Sequence, residues 1–286
     1  MPTCGVDTRT FLGLEATHNR FRWKLPVTSG LVTPMGFLYG GVGLAAAIEA
    51  MEATSGRPCV WATAQYLTYA LTGRTVDIDV RLAVEGHHIT QARAVCHVED
   101  TEVLTVNAAL GEHPFDREGQ FEAMPDDVPP PDACPKRIGG ADLSGSVFAR
   151  MEQRLARGRN FDELDGTPGD GRSQMWARIP EVTAGIDAAA LAVLGDYVPV
   201  GVSQALGIRG GGNSLDNTLR IVRTMATPWV LLDIHLQAVE RGFGHGVIHM
   251  FATDGTLLAT ASQSCIARYW PDAAPDRSDR SDQRRT

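Results

Sequence analysis

The sequence predicts an α+β chain in which one architecture occurs twice: a long helix wrapped by a strongly curved antiparallel sheet. Two observations predict it. The first is an internal echo at 154 positions, which lays Ile78-Asp79-Val80-Arg81-Leu82 on Leu232-Asp233-Ile234-His235-Leu236. In the same register Glu99-Asp100-Thr101-Glu102-Val103-Leu104 lies on Thr253-Asp254-Gly255-Thr256-Leu257-Leu258 with no gap. Two copies are too few for a solenoid, so a duplicated domain is the simpler reading. The second is that each half holds one long apolar helical stretch followed by several short strand-like segments.

The first half opens with short strands near Phe11–Glu15 and Phe21–Leu25. From Gly40 to Ala53 the apolar residues Leu44, Ala45, Ala47, Ile48 and Met51 recur at three- and four-residue intervals with no proline, which predicts a helix. Apolar residues cover almost all of its circumference, so it should be buried. Strands follow near Cys59–Leu71, Thr75–Glu85, Ile89–Val98 and Val103–Leu110, rich in Val, Thr and Ile and divided by turn signals. Short connections of this kind suit antiparallel hairpins.

The second half repeats the plan. Strands are expected within Ser146–Arg159 and at Ser173–Ile179, then a helix from about Asp187 to Leu206, kinked or cut short at Pro199. Strands near Ser214–Thr224, Trp229–Val239, Gly244–Thr253 and Leu257–Tyr269 complete it. Wrapping a sheet around the helix is the simplest way to bury a helix that is apolar all round. That is the hotdog architecture, in tandem. The expected organisation is an N-terminal hotdog domain over 1–111, a proline-rich linker over 112–143, a C-terminal hotdog domain over 144–270 and a disordered tail over 271–286.

Composition narrows the function. The chain has 286 residues, 43% hydrophobic and 21% charged, as expected of a globular protein. A net charge of -8 argues against a nucleic-acid partner. No apolar run approaches the roughly 20 residues of a membrane span. The N-terminus lacks the pattern of a signal peptide, and the C-terminus carries no peroxisomal or prenylation signal, so a cytoplasmic location is expected. Five scattered cysteines with no Cys-x-x-Cys argue against a disulfide scaffold or a structural zinc site.

The echo also points to chemistry. At the offset of 154, Val42 falls on Asp196, Val60 on Ser214 and Ala109 on Gln263. Three apolar positions become a carboxylate, a hydroxyl and an amide, as a degenerate first copy and a functional second copy would leave. Asp196 follows the apolar run Leu191-Ala192-Val193-Leu194-Gly195, where desolvation would raise its pKa and make it a better base. Taken singly, each residue has a plainer reading. Asp196 suits a helix cap, Ser214 a turn hydroxyl after Gly210-Gly211-Gly212-Asn213, and Gln263 a solvent-facing strand position.

From Phe11 to Tyr269 the chain resembles the acyl-CoA thioesterase II family, the double-hotdog thioesterases. The likeness rests on Phe11-Leu12-Gly13-Leu14-Glu15, Arg20-Phe21-Arg22 and Phe37-Leu38-Tyr39-Gly40-Gly41 in the first half. In the second it rests on Leu191-Ala192-Val193-Leu194-Gly195-Asp196-Tyr197, Asn213-Ser214-Leu215-Asp216-Asn217-Thr218 and Asp254-Gly255-Thr256-Leu257-Leu258-Ala259 with Ser262-Gln263. The resemblance implies hydrolysis of acyl-CoA by a water held by Asp196, Ser214 and Gln263. It implies no cofactor and no metal, and a homo-oligomeric assembly. Gly40 and Gly41 are candidates for the facing wall of the substrate site, because glycine lets a ligand approach the backbone closely. The chain departs from the family at Val42, Gly195 and Asn217, where relatives usually carry Gln, Ser and His.

Three rivals are weaker. Gly41-Val42-Gly43-Leu44-Ala45-Ala46 matches a dinucleotide fingerprint, but no buried strand precedes it and no acidic residue stands about 20 positions on. No Asp has a His five residues later, which disfavours a hotdog hydratase. His245 and His249, four apart on one strand face, lack a third metal ligand in the sequence. The non-enzymatic rival is an acyl-CoA-binding or sensing protein with a decayed site.

Overall fold

A computed structural model describes residues 6–140 and 142–270. The first half runs α1 (Thr8–Leu12), β1 (Glu15–Ala16), β2 (Arg22–Pro26), α2 (Gly40–Ser55), β3 (Cys59–Tyr66), β4 (Thr75–Glu85), β5 (Ile89–Val98) and β6 (Thr101–Gly111). The second runs β7 (Glu152–Arg157), β8 (Arg172–Arg178), α3 (Ala188–Leu194), α4 (Val198–Leu206), β9 (Gly210–Ser214), β10 (Asp216–Ile221), β11 (Val230–Glu240), β12 (Phe243–Ala252) and β13 (Leu257–Tyr269). All join one antiparallel sheet in the order β1-β2-β4-β5-β6-β3-β10-β13-β12-β11-β8-β7, with β9 also on β13.

The halves meet at β3 and β10, where Thr63 faces Thr218 and their hydroxyls lie 2.7 Å apart. A two-fold relation between antiparallel strands must keep each side chain on its own face, so its axis passes through a residue pair. The Thr63–Thr218 pair satisfies this with an offset of 155. Strands β11 and β12 keep the offset of 154, and the turn from β12 to β13 restores 155: Cys96 faces Leu104, while Met250, its match at 154, faces Ala259. The gapless 154 alignment is therefore one residue out at β10 and at β13. The structural counterparts of Ser214 and Gln263 are Cys59 and Ala108, not Val60 and Ala109. Cys59 faces Leu110 just as Ser214 faces Cys265.

The α2 helix is apolar all round because it is enclosed on every side. It packs on β3, β4, β5 and β6 and also on α3, and Leu44, Ile48 and Met51 are fully buried. Burying each of these three contributes roughly 1.5–3 kcal/mol. Gly56 ends the helix at φ 68°, a left-handed conformation that glycine adopts without strain.

Four expectations change. Phe11 lies in helix α1, capped by the Asp7 carboxylate accepting from Thr10 N–H at 2.8 Å, so only Glu15 and Ala16 are strand there. The 146–159 stretch opens with a 3-10 turn, Val147–Arg150, before β7. The Asp187–Leu206 helix is two helices, broken at Gly195–Tyr197. Pro199 lies in the first turn of α4 rather than at a kink. It has no N–H, and its ring would clash with a helical carbonyl at Gly195, so the helix breaks before it and restarts. The proline-rich stretch is packed rather than free. Met124, Val128 and Cys134 join Trp176, Trp229, Leu231, Phe251 and Leu257 in a second apolar cluster, and Pro135 and Arg137 pair with β7. The expected 271–286 tail lies outside the described residues.

The stretch Ala188–Leu206 is long and apolar enough to cross a membrane by composition alone, at a mean hydropathy of 1.3. Its apolar surface is instead turned against protein, and all seven residues of α3 are buried.

Close packing of α2 on α3 depends on Gly41. A Cβ there would stand 2.7 Å from the Ala192 carbonyl oxygen and 2.9 Å from that of Val193. Gly41→Ala should therefore lower unfolding stability by about 1–3 kcal/mol in a urea titration. Gly43→Ala, whose Cβ would meet the movable Leu104 and Leu38 methyls at 3.3 Å or more, should cost less. Equal losses would show that the α2–α3 approach is not the constraint.

Candidate active site

The helix break that Pro199 enforces is what presents Asp196. A break frees backbone groups that a continuous helix would pair. Here side chains take them up. Tyr39 Oη donates to the Asp196 carbonyl at 2.7 Å, Asn217 Nδ2 donates to the Gly195 carbonyl at 3.5 Å, and Val198 N–H donates to Gln263 Oε1 at 3.1 Å. Tyr197, beside Asp196, is fixed by Gln153 Nε2, which donates to its hydroxyl at 2.5 Å. Because Gln263 Oε1 is taken by a backbone donor, the Gln263 amide nitrogen faces the carboxylate.

Three elements converge on that carboxylate. Ser214 Oγ donates to Asp196 Oδ1 at 3.0 Å, and Gln263 Nε2 donates to the same oxygen. The Gly41 N–H, at the start of α2, donates to Oδ2 at 2.8 Å. Gln263 Nε2 also lies 3.2 Å from Ser214 Oγ, which closes the triangle. Ser214 reaches it because β9 ends there and β10 starts at Asp216, with Leu215 as the extra residue of a bulge that re-aims the strand.

Asp196 and Gln263 are buried, and Ser214 is half-buried. Burial raises the Asp196 pKa from 3.8 to about 6, against the opposing pull of the hydrogen bonds from Gln263, Ser214 and Gly41. Such a shift corresponds to about 3 kcal/mol in favour of the protonated form, relative to a free aspartate. At neutral pH the group is ionised yet markedly more basic than usual. An acid with one serine, one primary amide and one backbone N–H around it is suited to holding and deprotonating a water. Among the described residues no imidazole, thiol or second carboxylate bonds to it.

All five sequence candidates meet here, and the two glycines border the carboxylate directly. Gly41 donates its N–H to Asp196 Oδ2. Gly40 leaves room, since a Cβ on it would stand 2.6 Å from Asp196 Oδ2 and 3.2 Å from the Tyr66 hydroxyl. Sequence reasoning missed Tyr39 and Tyr66. Among the described residues the buried Tyr66 hydroxyl makes no well-formed hydrogen bond, and its pKa is pushed up by burial and then by the negative charge of Asp196, against a smaller opposing pull from the Asn217 side chain. Tyr39 directly precedes the Gly-Gly pair, a proximity that could have flagged it. Nothing in the spacing singles out Tyr66. The dinucleotide-like glycines lie inside α2, with Gly43 against Leu104, so that fingerprint has no strand-to-helix turn. His245 is exposed and bonds Ser264 Oγ at 3.1 Å instead of pairing with His249.

Comparison with known proteins agrees with this fold. A family model described as the acyl-CoA thioesterase C-terminal domain matches residues 125–267. A putative thioesterase from Novosphingobium aromaticivorans is 30% identical, covering 88% of this chain and 97% of its own, at a TM-score of 0.79. A hot dog fold protein of unknown function from Alicyclobacillus acidocaldarius is 20% identical over 91% of this chain and 96% of its own, at a TM-score of 0.77. An acyl-CoA thioesterase II, TesB2, from Mycobacterium marinum is 20% identical over 92% of this chain and 98% of its own, at a TM-score of 0.70. No functionally curated protein matches the sequence. With a tandem hotdog fold, half its length matched by the family model and a relative of that likeness, the chain belongs to the acyl-CoA thioesterase II family.

Proposed function

We propose that this chain hydrolyses acyl-CoA thioesters to a free acid and CoA, with Asp196 as general base and Ser214 and Gln263 positioning the water. The observation that carries this is the convergence of three polar groups on one buried carboxylate whose pKa is raised to about 6. A thioester carbonyl is electrophilic enough that the main tasks are to orient a water and deprotonate it. Holding the water between Ser214, Gln263 and Asp196 converts a bimolecular encounter into an oriented one. Asp196 takes one proton as the water oxygen bonds to the carbonyl carbon. The tetrahedral intermediate collapses, the C–S bond breaks, and the proton on Asp196 passes to the leaving sulfur. The unpartnered Tyr66 hydroxyl beside Gly40 is a donor free to meet the developing oxyanion.

Two exposed apolar side chains border Ser214 and its neighbour Asn213. Leu215 and Tyr69 are exposed, Leu215 follows Ser214 directly, and the Tyr69 hydroxyl accepts from Asn213 Nδ2. Such a rim suits an acyl or pantetheine chain more than a charged substrate.

A thiol-release assay over acyl-CoAs of several chain lengths tests the reading. Asp196→Asn should lower kcat by about 10²–10⁴-fold, the usual worth of a positioned base. Gln263→Ala should lower kcat with little change in KM. Wild-type turnover retained in either variant would remove the mechanism, and acyl-CoA binding without any wild-type turnover would favour the sensing alternative.

The base works only when ionised. Since burial raises its pKa, kcat/KM should fall as pH drops through about 6, well above the range of a free aspartate. A profile flat down to pH 4 would mean that Asp196 is not the base.

A further inference from the structure

The second half carries a group of side chains that thioester hydrolysis does not use. Asp233 and His235 lie two apart on β11 and therefore share a face. His249 stands directly across from Asp233 on β12. One ligating atom from each lies within 4.8 Å of the others, and among the described residues this is the one such trio of His, Cys, Asp or Glu. Asp233 is only 4% exposed. Its Oδ1 accepts from Gln174 Nε2 at 3.0 Å, and its Oδ2 lies 2.8 Å from His235 Nε2. His249 Nδ1 is buried with no partner.

The duplication supplies an internal control. Asp79 is the counterpart of Asp233 at the offset of 154, and there the carboxylate is closed by arginine. Arg22 faces it from β2 and donates two hydrogen bonds, at 2.6 and 2.9 Å, while His97 adds a contact at 3.1 Å. The residue facing Asp233 in the same way from β8 is the neutral Gln174. His235 stands where the first half has Arg81, and His249 where it has Val95. The second half therefore has a neutral amide where the first has its paired arginine, and imidazoles where the first has Arg81 and Val95.

We propose that Asp233, His235 and His249 bind a divalent transition-metal ion, with Zn²⁺ the best chemical match and water completing the coordination. Two imidazole nitrogens and one carboxylate oxygen form a borderline donor set that Zn²⁺ takes at about 2.0–2.2 Å. Tetrahedral ligands at such distances stand roughly 3.3 Å apart, so side-chain rotation alone closes the trio. Gln174 orients the carboxylate from outside, as second-layer partners do in metal sites. The ion would tie β11 to β12 away from the hydrolytic site. Gly246, which faces Gln263, is three residues from His249 on β12, so the two sites lie on opposite faces of the sheet.

The test uses chelator-stripped full-length protein, titrated with ZnCl₂ by calorimetry and with CoCl₂ by visible absorption. One ion per chain is expected, with a dissociation constant of micromolar or tighter and the visible bands of low-coordinate Co²⁺. His249→Ala and Asp233→Asn should each weaken binding at least tenfold while keeping the wild-type circular dichroism spectrum. His88→Ala serves as a control, because His87, His88 and His113 stack in another part of the molecule without converging on one point. Absence of saturable binding overturns the proposal. So does binding unchanged in His249→Ala and Asp233→Asn, or binding lost in His88→Ala.

Discussion

The Asp196 carboxylate is held by a hydroxyl, an amide and a backbone N–H drawn from three separate elements, and much of the surrounding structure exists to keep those donors in place. A carboxylate taken out of water is costly unless it is hydrogen-bonded. Ser214 requires the bulge at Leu215, Gln263 requires the register of β13, and the Gly41 N–H requires α2 to start against α3 without a Cβ in the way. These donors only partly offset desolvation, which leaves the group more basic than a free aspartate. That residue has a thermodynamic consequence. A pKa raised from 3.8 to about 6 favours the folded state fully below the lower value, and the benefit is lost as pH rises to the upper one. The chain thus gives up some stability at neutral pH to hold an ionised carboxylate in an apolar seam, a common arrangement at functional sites.

The strands were legible because half-buried β-structure writes its period into the sequence. Thr75–Glu85 and Ile89–Val98 fall where the structure has them, with alternating burial. The α2 helix was legible for a different reason, since a long apolar run without proline has few other homes. What the sequence concealed was a matter of single residues. An extra residue in the β12–β13 turn, and the same one-residue offset at β10, shift the alignment without changing composition. A one-residue slip turns every side chain to the other face. The comparison partners Val60 and Ala109 are therefore misplaced by one, although Asp196, Ser214 and Gln263 do converge in the structure.

The same limit explains the rest of the site. Asp196, Ser214 and Gln263 stand out because polar residues interrupt apolar or small-residue runs. Tyr39 and Tyr66 do not, because aromatic residues near a helix start or in a strand are ordinary core material. Their roles come from hydroxyl direction, which only the three-dimensional arrangement reveals. Phe11 misled for a local reason. Asp7 and Gly13 cap a five-residue helix too short to show a helical period.

The seam between the halves has a kinetic implication. The Asp196 carboxylate belongs to the second half, but the backbone donor on its other oxygen, the glycine clearance beside it and the Tyr66 hydroxyl all belong to the first. The polypeptide between them acts as a tether that makes assembly of the site an intramolecular event, set by an effective concentration rather than by how much protein is present. Cutting the chain between 112 and 143 would turn site formation into a second-order encounter. Activity would then dilute away faster than the protein itself.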